Sequence, residues 1–189
     1  MLAAATGRWR PLLLTAIFTG LRASELRGLR WRDVNLDAAE LTVHQRADKW
    51  GAIGSPKSHA GQRTVPLAPM VVNVLKEWRL ACPKGLLDLV FPNTKGKPEH
   101  LPHIHYRFLA PLQASLGISA DPCRPKYAMH SFRHVAASLF IEQGFGPKRV
   151  QALMGHSTIQ MTFDTYGHLF PAPADDQAAM RQLQARLIG

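Results

Sequence analysis

The chain of 189 residues carries 23 lysines and arginines against 13 acidic residues, a formal charge of +10. Its 46% hydrophobic and 19% charged content excludes a disordered chain and suits one well-cored domain, or at most two small ones. No apolar run approaches the roughly 20 residues that a membrane-spanning helix needs, so the cationic excess points to a polyanionic partner, nucleic acid ahead of a membrane surface.

Arg8 and Arg10 precede an apolar patch, Pro11 to Phe18, in imitation of a signal peptide. Thr19-Gly20-Leu21-Arg22 follows without a small-residue cleavage site, which argues against export and for a cytoplasmic protein. Cys82 and Cys123 are too few for a disulfide framework and match no metal spacing. The charge is uneven. Residues 1–35 hold Arg8, Arg10, Arg22, Arg27, Arg30 and Arg32 against Glu25 and Asp33, a net of +4, whereas residues 171–189 balance Arg181 and Arg186 against Asp175 and Asp176. The front of the chain therefore reads as a nucleic-acid surface and the tail does not.

In chain order, Trp9 to Phe18 predicts a short helix closed by Thr19-Gly20, and Ala23 to Leu29 a second one. Asp33 to Leu36, Leu41 to Gln45 and Arg63 to Leu67 alternate as half-buried strands, and Pro66 assigns the last of them to an edge. The expectation is a small three-stranded antiparallel sheet, with a mobile, mostly polar hairpin loop from Arg46 to Gln62 that contains Lys57. Val71, Val74, Leu75 and Trp78 form an amphipathic stripe on a helix that begins near Ala68. Pro83 to Pro98 is a loop broken by the apolar run Leu86 to Phe91. Leu101 to Leu116 reads as a helix kinked or split by Pro111. His130 to Gln143 is a helix capped by Gly144, Lys148 to Met154 a short one ended by Gly155, and Ser157 with Gln160 offers a capping box to the next. A linker with two prolines, Gly167 to Ala174, leads to a last helix, Asp175 to Ile188, edged by Ala179, Met180, Leu183 and Leu187. The fold class is α+β, mostly helical.

The densest chemistry lies between His130 and Tyr166. On a helix His130, Arg133 and His134 share one face, His156 follows the Gly155 stop, and Tyr166 comes ten residues later. A guanidinium fork matches phosphate oxygens, and a tyrosine hydroxyl can form a covalent intermediate. Arg22 beside its turn and Lys57 on the hairpin loop complete the set.

At these residues the chain resembles the tyrosine recombinases, the phage integrase family. The matching segments are T-G-L-R-A-S-E-L around Arg22, P-K-S-H-A-G-Q-R-T-V-P-L around Lys57, H-S-F-R-H, L-M-G-H-S, and D-T-Y-G-H-L around Tyr166. They stand in the family's order and cover Thr6 to Pro171. The resemblance implies a catalytic domain over residues 1–171, with residues 172–189 as a linker and helix that dock on a neighbouring protomer. It implies double-stranded DNA as partner, a homo-tetrameric synaptic complex at full length, and strand exchange without cofactor or metal. Arg22 and Arg133 would clamp the scissile phosphate, Tyr166 would attack it to give a 3′-phosphotyrosine, and His130 would stand at the general-base position. Lys57 would protonate the departing 5′ oxygen, His156 would donate to a phosphate oxygen, and Glu25 would orient the arginines. His134 is either a catalytic neighbour or a buried histidine bonded to a backbone carbonyl. The N-terminal core-binding domain usual in the family has no counterpart in this sequence. That leaves a DNA-binding remnant without catalysis as an alternative.

A metal-dependent relaxase is the sharper rival. His103 and His105 on a strand would point both imidazoles to one side, with His100 as a third ligand. Pro102 before them and Phe108-Leu109 after them favour a helix start instead.

Overall fold

A computed structural model describes residues 1–56, 58–171 and 176–188, with the side chain of His59 also left out. Lys57, the linker residues 172–175 and Gly189 lie outside the described residues.

The first helix, α1 (Trp9–Thr19), buries Leu12, Leu13, Leu14, Ala16 and Ile17 because it runs between α3 (Pro69–Ala81) and α6 (Met129–Glu142). Gly20 closes it at φ 64, with its N–H on the Ala16 carbonyl at 3.1 Å. A Cβ there would meet the Met154 sulfur at 2.9 Å, so only glycine lets the chain turn this close to the next layer. Arg22 then leads into α2 (Ala23–Gly28).

The sheet is antiparallel, in the order β1 (Val34–Asn35), β2 (Glu40–Val43), β5 (Arg63–Pro66). Leu41 faces Val65 across it, and both are fully buried. Pro66 lies on an edge strand, where its missing N–H costs no ladder bond. The span from Arg46 to Gln62 holds more than a plain loop among its described residues. It contains a second hairpin, β3 (Arg46–Ala47) against β4 (Ile53–Gly54). Asp48 turns it by accepting from the Trp50 and Ala52 N–H groups at 2.8 and 2.9 Å, and Gly51 supplies φ 90. The side-chain capture of nearby amides is Asx-turn chemistry, and two-residue strands are too short to show a period.

On α3, Val71 and Leu75 are buried, and Trp78 donates its indole N–H to the Val90 carbonyl at 2.6 Å. That bond anchors the apolar break in the following loop. Beyond the loop, α4 (Leu101–Ile104) passes into α5 (Ala110–Ser115) through one π-helical segment, His105–Leu109. Pro111 cannot donate to the carbonyl four residues back and its ring crowds that carbonyl; a widened turn absorbs the conflict, so the helix continues.

After α6 come α7 (Pro147–Met154), stopped by Gly155 at φ 63, and α8 (Ile159–Tyr166). The expected capping box is one residue out of register. Thr158 is the N-cap and accepts from the Met161 N–H at 3.4 Å, while the Ser157 hydroxyl rests on the Met161 sulfur at 3.2 Å. Gly167–Leu169 forms a single 3-10 turn, and α9 (Asp176–Ile188) carries no buried residue. Its expected apolar edge stands open, with Met180 at 65% and Leu187 at 77% exposure. Helices thus dominate around a small antiparallel sheet, in the α+β class read from the sequence.

Candidate active site

Arg133 lies on the inner face of α6, only 3% exposed, among Met129, Phe132, Ala136 and Ala137. A cation so placed needs compensation, and here two helix ends supply it. One guanidinium nitrogen donates to the carbonyl of Gly20, at the end of α1, at 2.6 Å. The other donates to that of Met154, the last residue of α7, at 2.5 Å. Helix C-termini carry unpaired carbonyls and the negative end of the peptide dipole. Burial, and after it the charge of Arg22, pull the group down to about 9, which leaves it charged at neutral pH.

Arg22 precedes α2 and is half open to solvent. It donates to Glu25 at 2.8 Å and to the carbonyl of Gly155 at 3.0 Å. Glu25 is buried and shared, since Arg63 donates to its two oxygens at 3.2 and 2.9 Å. Burial alone would raise this carboxyl; the bonds and charge of Arg63, then Arg22, bring it below its ordinary value. Arg63 also donates to the carbonyls of Leu153 at 2.6 Å and Gly61 at 3.0 Å. It therefore fastens β5 to α2 and to the end of α7. Three guanidinium groups less one carboxylate leave a local charge of +2. The orienting role expected of Glu25 has its geometry here, with Arg63 as a further partner. The sequence did carry a signal for Arg63. It sits in phase with buried Val65 and opposite buried Val43, so an arginine at that strand position faces inward and needs an acid.

Gly155 turns the chain from α7 to His156. A Cβ at 155 would lie 2.8 Å from an Arg63 nitrogen. His156 is buried, its Nδ1 2.9 Å from the Thr162 hydroxyl. Burial, then Arg133, Arg22 and Arg63, lower it to about 4, so the ring is neutral at pH 7. Where Nδ1 accepts from Thr162, the ring hydrogen stands on Nε2, free to donate.

Tyr166 ends α8, 4% exposed, its ring packed with Ala137, Ile141, Val150 and Met154. Its hydroxyl meets Nδ1 of His134 at 2.8 Å. His134 is therefore not the carbonyl-bonded histidine of one sequence reading. The His130 ring stands edge-on to the His134 ring, 4.7 Å between centroids, and is held below the ordinary histidine value by burial, then by His134, Arg133 and Arg22. Burial raises the Tyr166 hydroxyl, an effect that Arg133 partly offsets.

Arg22, His130, Arg133, His134, His156 and Tyr166 line one cavity of about 340 Å³, together with Met161, Asp164 and Thr165. A neighbouring cavity of about 350 Å³ shares Arg22 and Met161 and is bordered by Pro56 and Ser58. These two flank Lys57, whose own placement lies outside the described residues. Tyr106 and Tyr127 are 59% and 43% exposed and line neither cavity. His103 sits on α4 with Nδ1 3.3 Å from Glu99, and His105 begins the π-helical segment. The strand that the relaxase reading required does not form, and two positions along a helix turn the imidazoles to opposite sides. Among the described residues no three metal-ligating side chains cluster, and no helix is long and apolar enough to cross a membrane.

Two cavity-lining arginines over a buried tyrosine, on helices packed against a three-stranded sheet, define the class. The phage integrase family model matches residues 2–172, and the chain belongs to that family. It is 28% identical to the prophage integrase IntR of Escherichia coli strain K12, over 96% of this chain and 47% of that protein. It is 33% identical to the tyrosine recombinase XerC of Xylella fastidiosa strain 9a5c, over 86% of this chain and 49% of that protein. Among solved structures, the Tn1549 transposon integrase in complex with transposon right end DNA matches at a TM-score of 0.73 and 25% identity, over 96% of this chain and 59% of that one. The chain spans about half the length of the curated relatives it matches.

Proposed function

We propose that residues 1–171 form the strand-cutting and rejoining part of a site-specific DNA recombinase that works through a 3′-phosphotyrosine. The observation that carries this reading is the convergence of Arg22, Arg133, His156 and Tyr166 on one cavity from four separate segments. In it, Arg22 and Arg133 hold the non-bridging oxygens of the scissile phosphate, and His156 donates to one of them from Nε2. The local charge of +2 complements the negative charge that grows as the phosphorus becomes pentacoordinate, and fixed donors in a water-poor site are the strongest form of such help. Tyr166 attacks in line. Its proton leaves during attack, since a free phenol with a pKa of about 10 is protonated at neutral pH. Lys57 on the hairpin loop protonates the departing 5′ oxygen. The tyrosyl ester conserves the phosphodiester energy, and the arginines supply the charge stabilisation for which other nucleases use a metal.

The partner under this reading is double-stranded DNA, bound by a homo-tetramer when the protein is full length, with residues 172–189 docking on a neighbouring protomer. The cationic front of the chain suits phosphate contacts, whose strength falls steeply with salt.

Covalent trapping tests the reading. The chain is incubated with a nicked duplex in EDTA and denatured, and a protein–DNA adduct is sought beside Tyr166→Phe. An adduct in EDTA that vanishes in the variant is expected. An adduct that forms only with added metal, or that persists in Tyr166→Phe, overturns the reading.

A further inference from the structure

We infer that His134, and not His130, is the base that takes the hydroxyl proton of Tyr166 as its oxygen attacks phosphorus. This rests on the strand-transfer reading above and assigns one step within it.

The geometry is direct. Nδ1 of His134 lies 2.8 Å from the Tyr166 oxygen, within the reach a general base needs. The two side chains come from α6 and α8, and their rings also meet, 5.8 Å between centroids. Tyr166 is set in its apolar pocket of Ala137, Ile141, Val150 and Met154. The His134 ring is held edge-on by His130, one helical turn earlier on the same face. The ring contact of His130 is His134 itself, and the hydrogen bond of the Tyr166 hydroxyl is made with His134.

Charged and titratable groups surround the pair. His134 faces His130 and Arg133 on its own helix, Arg22 at the head of α2, His156 after α7, and Asp164 with Tyr166 on α8. Among these, His130 is lowered by burial, then by His134, Arg133 and Arg22, and His156 is lowered to about 4 by burial, then by the arginines. A proton arriving on His134 meets the positive charges of Arg22 and Arg133, and the Asp164 carboxylate on the same cavity stands against them.

The step balances. The O–H bond of Tyr166 breaks and an Nδ1–H bond forms on His134. The oxygen–phosphorus bond to Tyr166 forms, the bond from phosphorus to the 5′ oxygen breaks, and that oxygen takes a proton from the acid, Lys57 in the reading above. On rejoining, His134 returns its proton to Tyr166. The resting ring must be the neutral tautomer with hydrogen on Nε2 and a free lone pair on Nδ1.

Two measurements test the role. The first is the rate of adduct formation on the nicked duplex against pH, for the wild-type chain, His134→Asn and His134→Ala. Asparagine keeps a hydrogen-bonding atom near the Nδ1 position and cannot accept the proton. At pH 7 His134→Asn is expected to slow adduct formation by about 10²- to 10⁴-fold, the range general-base catalysis supplies, with duplex affinity unchanged. The deficit should shrink as rising pH ionises the phenol unaided. A wild-type rate in His134→Asn overturns the inference, and so does a deficit of the same size at every pH, which marks a positioning residue only. The second is long-range proton–nitrogen correlation on histidine-labelled protein without DNA, with the Nε2–H tautomer expected for His134. An Nδ1–H tautomer overturns the inference even if adducts form. If the nitrogen spectrum is as expected but the wild-type chain forms no adduct, the strand-transfer reading falls, and this role with it.

Discussion

The arginine floor and the C-terminal helix solve opposite problems. Around Arg133 and Glu25, charges are taken out of water and every one is met, by carbonyls from two helix ends or by an opposite charge. Along α9, apolar side chains are left in water, and none of its residues is buried. The contrast separates charges that the chain satisfies within itself from an apolar edge that it leaves exposed. A buried polar set left partly unmatched destabilises a fold severely, so the floor has to be complete in the monomer. An exposed helix edge costs little.

The comparison breaks most sharply at Glu25. Glu25→Ala leaves Arg63 and Arg22 facing each other with no acid between, and removing one partner of a buried pair costs about 3–5 kcal/mol. Urea denaturation should show it as a fall in midpoint, and Glu25→Gln should lose less because it keeps an acceptor. The pH dependence has a definite sign. A carboxyl held below its ordinary 4.5 in the folded state contributes stability that is present above that value and lost as pH falls through the folded one. The acid limb of the stability curve should therefore flatten in Glu25→Gln. A limb unchanged from wild type would mean that this acid is not the one that unfolds the floor.

Arg133→Met comes next. It orphans the Gly20 and Met154 carbonyls, each at about 1–3 kcal/mol, against a modest gain from removing a buried charge. Denaturation should register a loss, and the adduct assay should register loss of the clamp in whatever protein remains folded. The smallest effect is expected at the other pole. Leu183→Glu on α9 should change monomer stability by no more than about 0.5 kcal/mol, as for surface positions generally. Any defect should appear in DNA-dependent assembly, measured by sedimentation. A melting point that drops with Leu183→Glu would place α9 within the monomer's own core and remove the contrast.

Much of this was legible in the sequence, because the physical signal was local. Gly20 and Gly155 announce helix ends through a conformation that glycine adopts freely, and the Leu41, Val43 and Val65 alternation announces the sheet. The face shared by His130, Arg133 and His134 follows from helix spacing alone, and these residues meet in one cavity with Arg22, His156 and Tyr166. What escaped has no local period. The β3–β4 hairpin consists of two-residue strands held by the Asp48 side chain, and the widened turn before Pro111 is one of several ways a helix can answer a proline. Thr158 rather than Ser157 caps α8 because the helix begins one residue later than the motif implied. The partners of Arg133 lie 113 and 21 positions away and are backbone atoms, which no side-chain pattern records. Arg63 was visible only by asking which way its strand position points.

That Arg133 is held by carbonyls also has a genetic corollary. Each of the ion pairs at Glu25 joins two side chains, so damage on one side has a conceivable remedy on the other, such as an exchange of acid and base between positions 25 and 63. The carbonyls of Gly20 and Met154 belong to the main chain and are the same whatever residue stands there. A change of side chain at either position leaves those carbonyls in place, so neither offers the exchange of acid and base that positions 25 and 63 allow. Revertants of an Arg133 substitution should accordingly restore arginine itself, while a selection begun at Glu25 has a second position open to it.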